Sequence, residues 1–190
     1  SPTPTEPMRP SNRTNILDAA VRVIERDGIT ALTFEAVATE SGIARGGLLY
    51  HFPSRDALLQ GIHQHLASVW EASMIDAAGK PAEAAATTER YQAYALTCAQ
   101  TASRAELQLM FDAAATDENM QPWTTVVERW SPPTPQDLSD PAALDLFIAK
   151  LAADGMWVFE ALSRSRLAPE VRQAIADRLA QTIAAASTTA

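Results

Sequence analysis

A single cysteine, Cys98, in 190 residues leaves no internal disulfide and no cysteine-based metal site. A lone thiol of this kind is ordinarily a small buried hydrophobe. Glycine is scarce, with seven residues, and alanine-rich stretches such as Ala84–Ala86 point to a helix-rich globule. No apolar run approaches the ~20 residues that span a bilayer. No basic-then-apolar segment of the signal-peptide type precedes the first helix. A soluble, cytoplasmic protein with no membrane partner is expected. Histidines are few as well, and His63 and His65 lie two apart, on different sides of a helix, so they cannot share a metal on one face. There is no nucleophile–base signature, no metal-ligand cluster and no glycine-rich phosphate loop. An enzyme is therefore disfavoured, and neither metal nor cofactor is expected.

Basic charge is also short, with a net charge of −8, which at first argues against a nucleic-acid partner. Its distribution weakens the objection. Residues 1–60 carry six arginines against seven acids, whereas residues 61–190 carry nine basic and sixteen acidic residues. The acidity lies mostly outside the N-terminal third. Arg9, Arg13, Arg45 and Arg55 fall where a local basic patch could form.

Residues 1–11 form a proline-rich arm without apolar periodicity, read as disordered. A first helix is predicted from Asn12 to Asp27, stopped by Gly28. Thr33 is a good N-cap for a second helix, Phe34 to Ser41. Counting Phe34 as first, Ala38 is fifth, Gly42 ninth and Leu48 fifteenth. A helix-turn-helix needs a small residue where its helices cross, a residue tolerant of positive φ at the turn, and an apolar anchor on the second helix. Ala38, Gly42 and Leu48 supply all three at the right spacing, with Val37, Ile43 and Phe52 in support. Residues 12–60 are thus expected to be a DNA-binding domain. Pro53 breaks the chain before a long fourth helix, which runs to about Ala78 with Ser54 as its N-cap.

The stretches LTFEAVATESGI and RGGLLYHFPSRDALL, after a first helix ending in Gly28, resemble the TetR family of one-component bacterial transcription regulators. The resemblance covers roughly residues 13–60. It implies a homodimer on palindromic double-stranded operator DNA. It also implies that Thr33 caps helix two and touches phosphate, that Arg45, Gly46, Leu48 and Tyr50 face base edges or sugar–phosphate, and that His51 and Arg55 lie by the backbone. Gly47, within the same DNA-facing segment, stands where Thr or Ser is frequent, and Leu49 where Tyr is frequent.

Residues 61–190 are expected to form a helical ligand-binding and dimerisation domain, giving an all-α chain of about nine helices. A long helix is predicted over 82–102, another at 104–115, and another from Asn119 to Trp130. The loop 131–141 is rich in proline. Aromatics make up only 6% of the chain, yet six of the twelve lie beyond residue 110. Phe111, Trp123, Trp130 and Trp157, with Met110, Val127 and, from helix four, Trp70 and Met74, are read as a soft lining for a flat organic effector. Asp112 is its charge partner. Similarity of layout to multidrug-binding members of the family favours lipophilic or aromatic, cationic effectors, with an acyl-CoA or aromatic metabolite as the alternative. A DNA-binding protein without an effector is a further possibility.

Residues 142–162 are apolar on nearly all sides and must be covered on both faces. Leu144, Ile148, Leu151, Gly155, Val158 and Leu162, with Val171, Ile175 and Leu179 of a last helix opened by Pro169, are assigned to a four-helix dimer interface.

Overall fold

The apolar residues of the first predicted helix do converge. Ile16, Leu17, Ala19, Ala20, Val23 and Ile24 are all buried on one side of α1, Asn12–Asp27. The computed structural model describes residues 11–100 and 102–188; most of the expected N-terminal arm, with Arg9, lies outside them. Ser11 opens α1 by accepting the Thr14 N–H at 3.2 Å. Gly28 closes it at φ 88°, its own N–H reaching the Ile24 carbonyl at 2.8 Å. A short 3-10 turn, Ile29–Ala31, leads to α2, Phe34–Ser41, which Thr33 caps through the Ala36 N–H at 3.1 Å. Gly42 then makes the left-handed turn, φ 71°, that a side chain would strain. The third helix, α3, is Arg45–His51.

The fourth helix, α4, Arg55–Ala78, starts at Ser54, whose Oγ accepts the Ala57 N–H at 3.1 Å. Its Gly61 is required by close approach, since a Cβ there would stand 2.6 Å from Phe52 Cε1 and 3.3 Å from Leu17 Cδ2. Contacts divide the chain into two units, Ser1–Ile62 and His63–Ala190, and α4 is continuous across the boundary.

An acidic clasp ties α1 to α2. Glu40 accepts from Arg22 Nε at 3.0 Å and from Arg26 Nη1 at 2.9 Å. Hydrogen bonds from Arg26 first, and then Arg22, hold its carboxyl below the ordinary 4.5. The clasp therefore contributes fully above about pH 4.5 and is lost as pH falls through the depressed folded value. The pH–stability profile of Glu40→Gln should be flatter than the parent's over that acid window. Superimposable profiles would show that the clasp adds nothing.

The second unit contains the rest of α4 and five further helices: α5, Thr87–Cys98; α6, Arg104–Ala113; α7, Asp117–Trp130; α8, Pro141–Leu162; and α9, Pro169–Ser187. The chain is thus all-α, with nine α-helices and no strand among the described residues. None of these helices is long and apolar enough to cross a membrane. The helix predicted over 82–102 is shorter. A 3-10 turn at Ala82–Ala84 precedes it, and its start is set by Glu89, which accepts the Ala86 N–H at 2.8 Å and is paired with Lys80 Nζ at 3.0 Å. A side chain reaching back to the N-cap N–H fixes the helix start from within.

The core of this unit gathers Met74, Tyr94, Cys98, Trp123, Val126, Trp130 and Ile183. Burial pushes the Cys98 thiol up to about 12, so it is an inert core residue. Burial likewise holds the Tyr94 hydroxyl protonated, and it donates to Asp154 Oδ1 at 2.5 Å while Lys150 Nζ takes Oδ2 at 2.6 Å. A buried acid links the last two helices. Glu160, only 2% exposed, accepts the Leu167 N–H at 3.2 Å and pairs with Arg172 Nη2 at 3.3 Å.

Candidate functional site

The first unit presents α3 as a short helix anchored from one side. Leu48 is fully buried, whereas Arg45, Gly46, Leu49 and Tyr50 are exposed, Tyr50 at 84%. This corrects the expectation that Leu48 faces base edges: its side chain holds α3 to the core. The half-buried His51 meets Tyr50 edge-on, with ring centroids 5.1 Å apart. Arg45 Nη1 donates to Glu35 Oε1 of α2, and its guanidinium lies 6.0 Å from the Phe34 ring centroid. Glu35 was not singled out in the sequence, because it sits ten residues away across a turn.

The two glycines of α3 differ. A Cβ at Gly47 would stand 2.9 Å from Ile43 Cγ2, while one at Gly46 would meet nothing packed against the helix within 4 Å. Packing inside the fold explains the first and not the second. Arg55 is bound internally, its Nε donating to the Leu32 carbonyl at 3.1 Å and its Nη2 to that of Ile29 at 3.2 Å. It braces the loop that carries Thr33. Arg13 is drawn onto Phe52, 5.0 Å above the ring. The exposed set Arg45, Gly46, Tyr50 and the Thr33-capped start of α2 offers donors and an aromatic edge suited to phosphates and base edges.

In the second unit the structure brings Trp70, Met74, Met110, Trp123, Val127 and Trp130 into one cluster. Phe111 lies outside it at 73% exposure, and Trp157 is half-buried elsewhere. Tyr94, Trp70 and Trp123 form a chain of rings with centroid separations of 5.7 and 5.8 Å. That chain ends in a polar relay the sequence did not reveal. Trp123 Nε1 donates to His63 Nδ1 at 3.2 Å, and His63 Nε2 meets Asp112 Oδ2 at 2.7 Å. An indole N–H can only donate, so Nδ1 accepts and Nε2 carries the proton. His63 thus links the Trp123 indole to the Asp112 carboxylate. The Asp112 side chain is 27% exposed. Glu71 forms a second junction, accepting from Trp130 Nε1 at 2.8 Å and from Arg129 Nη1.

The α8 residues singled out in the sequence do share a face. Leu144, Ile148, Leu151, Val158 and Leu162 are 37–53% exposed, as are Phe159 beside them and Val171 of α9. Gly155 lies in the same row with open space around it. Ile175 and Leu179 pack on their own core and also line an open groove along α9. Two grooves are open. One, about 440 Å³, runs along α9 past Val171 and Arg178; the other, about 480 Å³, lies between Leu96 and Arg172. Neither is lined by the aromatic cluster.

Comparison with known proteins agrees with this architecture. Residues 16–62 match the model described as bacterial regulatory proteins, tetR family, and residues 88–184 match the tetracyclin repressor-like C-terminal domain. The HTH-type transcriptional regulator BetI of Paraburkholderia phytofirmans is 30% identical over 67 residues, a match spanning 35% of this chain and 34% of that protein. Among solved structures, the multidrug binding protein EbrR complexed with malachite green superposes with a TM-score of 0.62 at 19% identity, over 91% of this chain and 98% of that one. The TetR-family member SCO1917 of Streptomyces coelicolor A3 gives 0.57 at 23%, over 90% and 98%. With both of its units matched, and the C-terminal model alone covering half of its length, the chain belongs to the TetR family and is a transcriptional regulator.

Proposed function

We propose that this regulator is a cytoplasmic repressor that binds a palindromic operator as a homodimer and is released by a small lipophilic or aromatic effector, best a cation. The reading face would be Arg45, Gly46 and Tyr50 of α3, with Thr33 and His51 beside the phosphate backbone. Two copies would pair through the exposed row Leu144, Ile148, Leu151, Gly155, Val158 and Leu162. Their recognition helices must then stand ~34–36 Å apart to enter successive major-groove faces.

The observation that carries the effector reading is the ring chain Tyr94–Trp70–Trp123, which leads through His63 to the Asp112 carboxylate. Flat cations are held by aromatic faces and by desolvated carboxylates. Helix α4 supplies both Trp70 and His63 and begins directly after the reading head, so an effector that spreads these rings would bias that helix. Similarity to a multidrug binding protein is consistent with this class of ligand. Cationic dyes titrated against tryptophan fluorescence should bind, and Asp112→Asn should weaken them about tenfold while sparing neutral aromatics. Operator DNA must weaken dye binding by the factor by which dye weakens operator binding. Equal dye affinity with and without operator would remove the mechanism.

One observation favours a second reading, a DNA-binding regulator without an effector. Met74 and Trp130 are fully buried and the ring cluster is packed, so an effector must displace side chains to enter. A panel of dyes and acyl-CoAs that leaves tryptophan emission unchanged would decide for that reading.

A further inference from the structure

The ion pair between Glu35 and Arg45 places a carboxylate on the face that would meet DNA. Both side chains are well exposed, 71% and 59%. Exposed pairs of this kind add little to stability, so holding the fold together is a poor account of it. The other acid at the far end of α2, Glu40, is committed to Arg22 and Arg26 of α1. Glu35 instead reaches across the turn to α3, where its partner is the arginine at the first position of the helix.

We propose that Glu35 is a specificity-determining residue, holding Arg45 for a base edge and withholding it from phosphates. The inference rests on the reading of α3 as the DNA-reading helix. A guanidinium has five N–H donors, so one can stay on Glu35 Oε1 while others address a pair of acceptors such as O6 and N7 of guanine. Phe34 beneath the guanidinium narrows its directions further. Random-sequence DNA offers Arg45 phosphates instead. A phosphate lying off the direction that Glu35 and Phe34 fix for the guanidinium can be taken only by leaving Glu35, which strands a carboxylate beside the polyanion, so the exchange gains little. The pair thus taxes non-specific binding and leaves operator binding nearly untouched.

The test uses the full chain with two duplexes of equal length, one recovered by selection from genomic fragments and one of random sequence, each titrated across a salt series. Glu35→Gln should raise affinity for the random duplex about three- to tenfold. It should steepen that duplex's log–log salt dependence by roughly one to two, as one freed arginine per protomer finds a phosphate. Affinity for the selected duplex should change less than threefold, so the specificity ratio falls. In an Arg45→Ala background, Glu35→Gln should leave that ratio unchanged, which a double-mutant cycle reads directly. An equal gain on both duplexes that persists without Arg45 would reduce Glu35 to simple charge repulsion and overturn the proposal. No change, or an equal loss with a lowered Tm, would overturn it too. Failure of the underlying reading looks different: the parent protein would then bind both duplexes alike, and Arg45→Ala would bind as the parent does.

Discussion

Leu151→Glu is expected to leave a folded monomer that binds operator at least ~100-fold more weakly than the parent. Leu151 is 53% exposed in the chain by itself and sits at the middle of the α8 row. Its replacement removes little from the monomer's own core. Across a two-fold axis, however, each face meets its own copy, so the new carboxylate would oppose another in an apolar setting. In the proposed dimer, losing the second reading head would also forfeit avidity, a factor of ~10²–10⁴ for linked sites. Sedimentation and operator gel shift at the same protein concentration measure both effects. A stable dimer with unchanged operator affinity would place the interface elsewhere. Gly155→Ala is a finer probe. Open space around that position and a helix propensity gain of up to ~1 kcal/mol favour the monomer's helix, while close helix approach in a dimer would suffer.

The largest expected effect on folding falls on Trp130→Ala, at about 3–5 kcal/mol. Trp130 is fully buried among α4, α5 and α7 residues, and its indole N–H is bonded to Glu71. The substitution opens a cavity and strips one donor from a partly buried acid. Since native stabilities are only about 5–15 kcal/mol, a fall in Tm on the order of 10 °C follows. Thermal denaturation followed by circular dichroism reads it. A drop under about 2 °C would mean that the cluster is loose enough to admit a ligand without strain. Trp130→Phe, which keeps most of the volume and loses the N–H, separates packing from the bond to Glu71.

Much of the first unit was legible because its determinants are local. Thr33, Gly28 and Gly42 act within four residues of where they stand, through caps and backbone conformation, and the helix bounds follow directly. Leu48 was given two incompatible roles, facing DNA and filling the core, and only burial separates them. Helix α5 began later than expected because its start depends on the Glu89 side chain turning back. The outward row of α8 was visible as excess hydrophobicity with nothing in the chain to absorb it. The relay from Trp123 through His63 to Asp112 was not visible at all. His63 lies 49 residues from one partner and 60 from the other, and no periodicity within a single helix reports such a meeting. Considered alone, His63 showed only that it could not join His65 on a metal.

The one-sided anchoring of α3 has a consequence for how such a protein diversifies. Seven residues with two glycines would not stay helical in isolation; the helix is lent its shape by Leu48 and the residues beneath it. The outward positions 45, 46 and 50 add little to that support, Arg45 only an exposed ion pair to α2. They form an interchangeable alphabet on a fixed page. A library randomised at those three positions should be rich in folded members with altered operator preference, since a change of address there carries no penalty in structure.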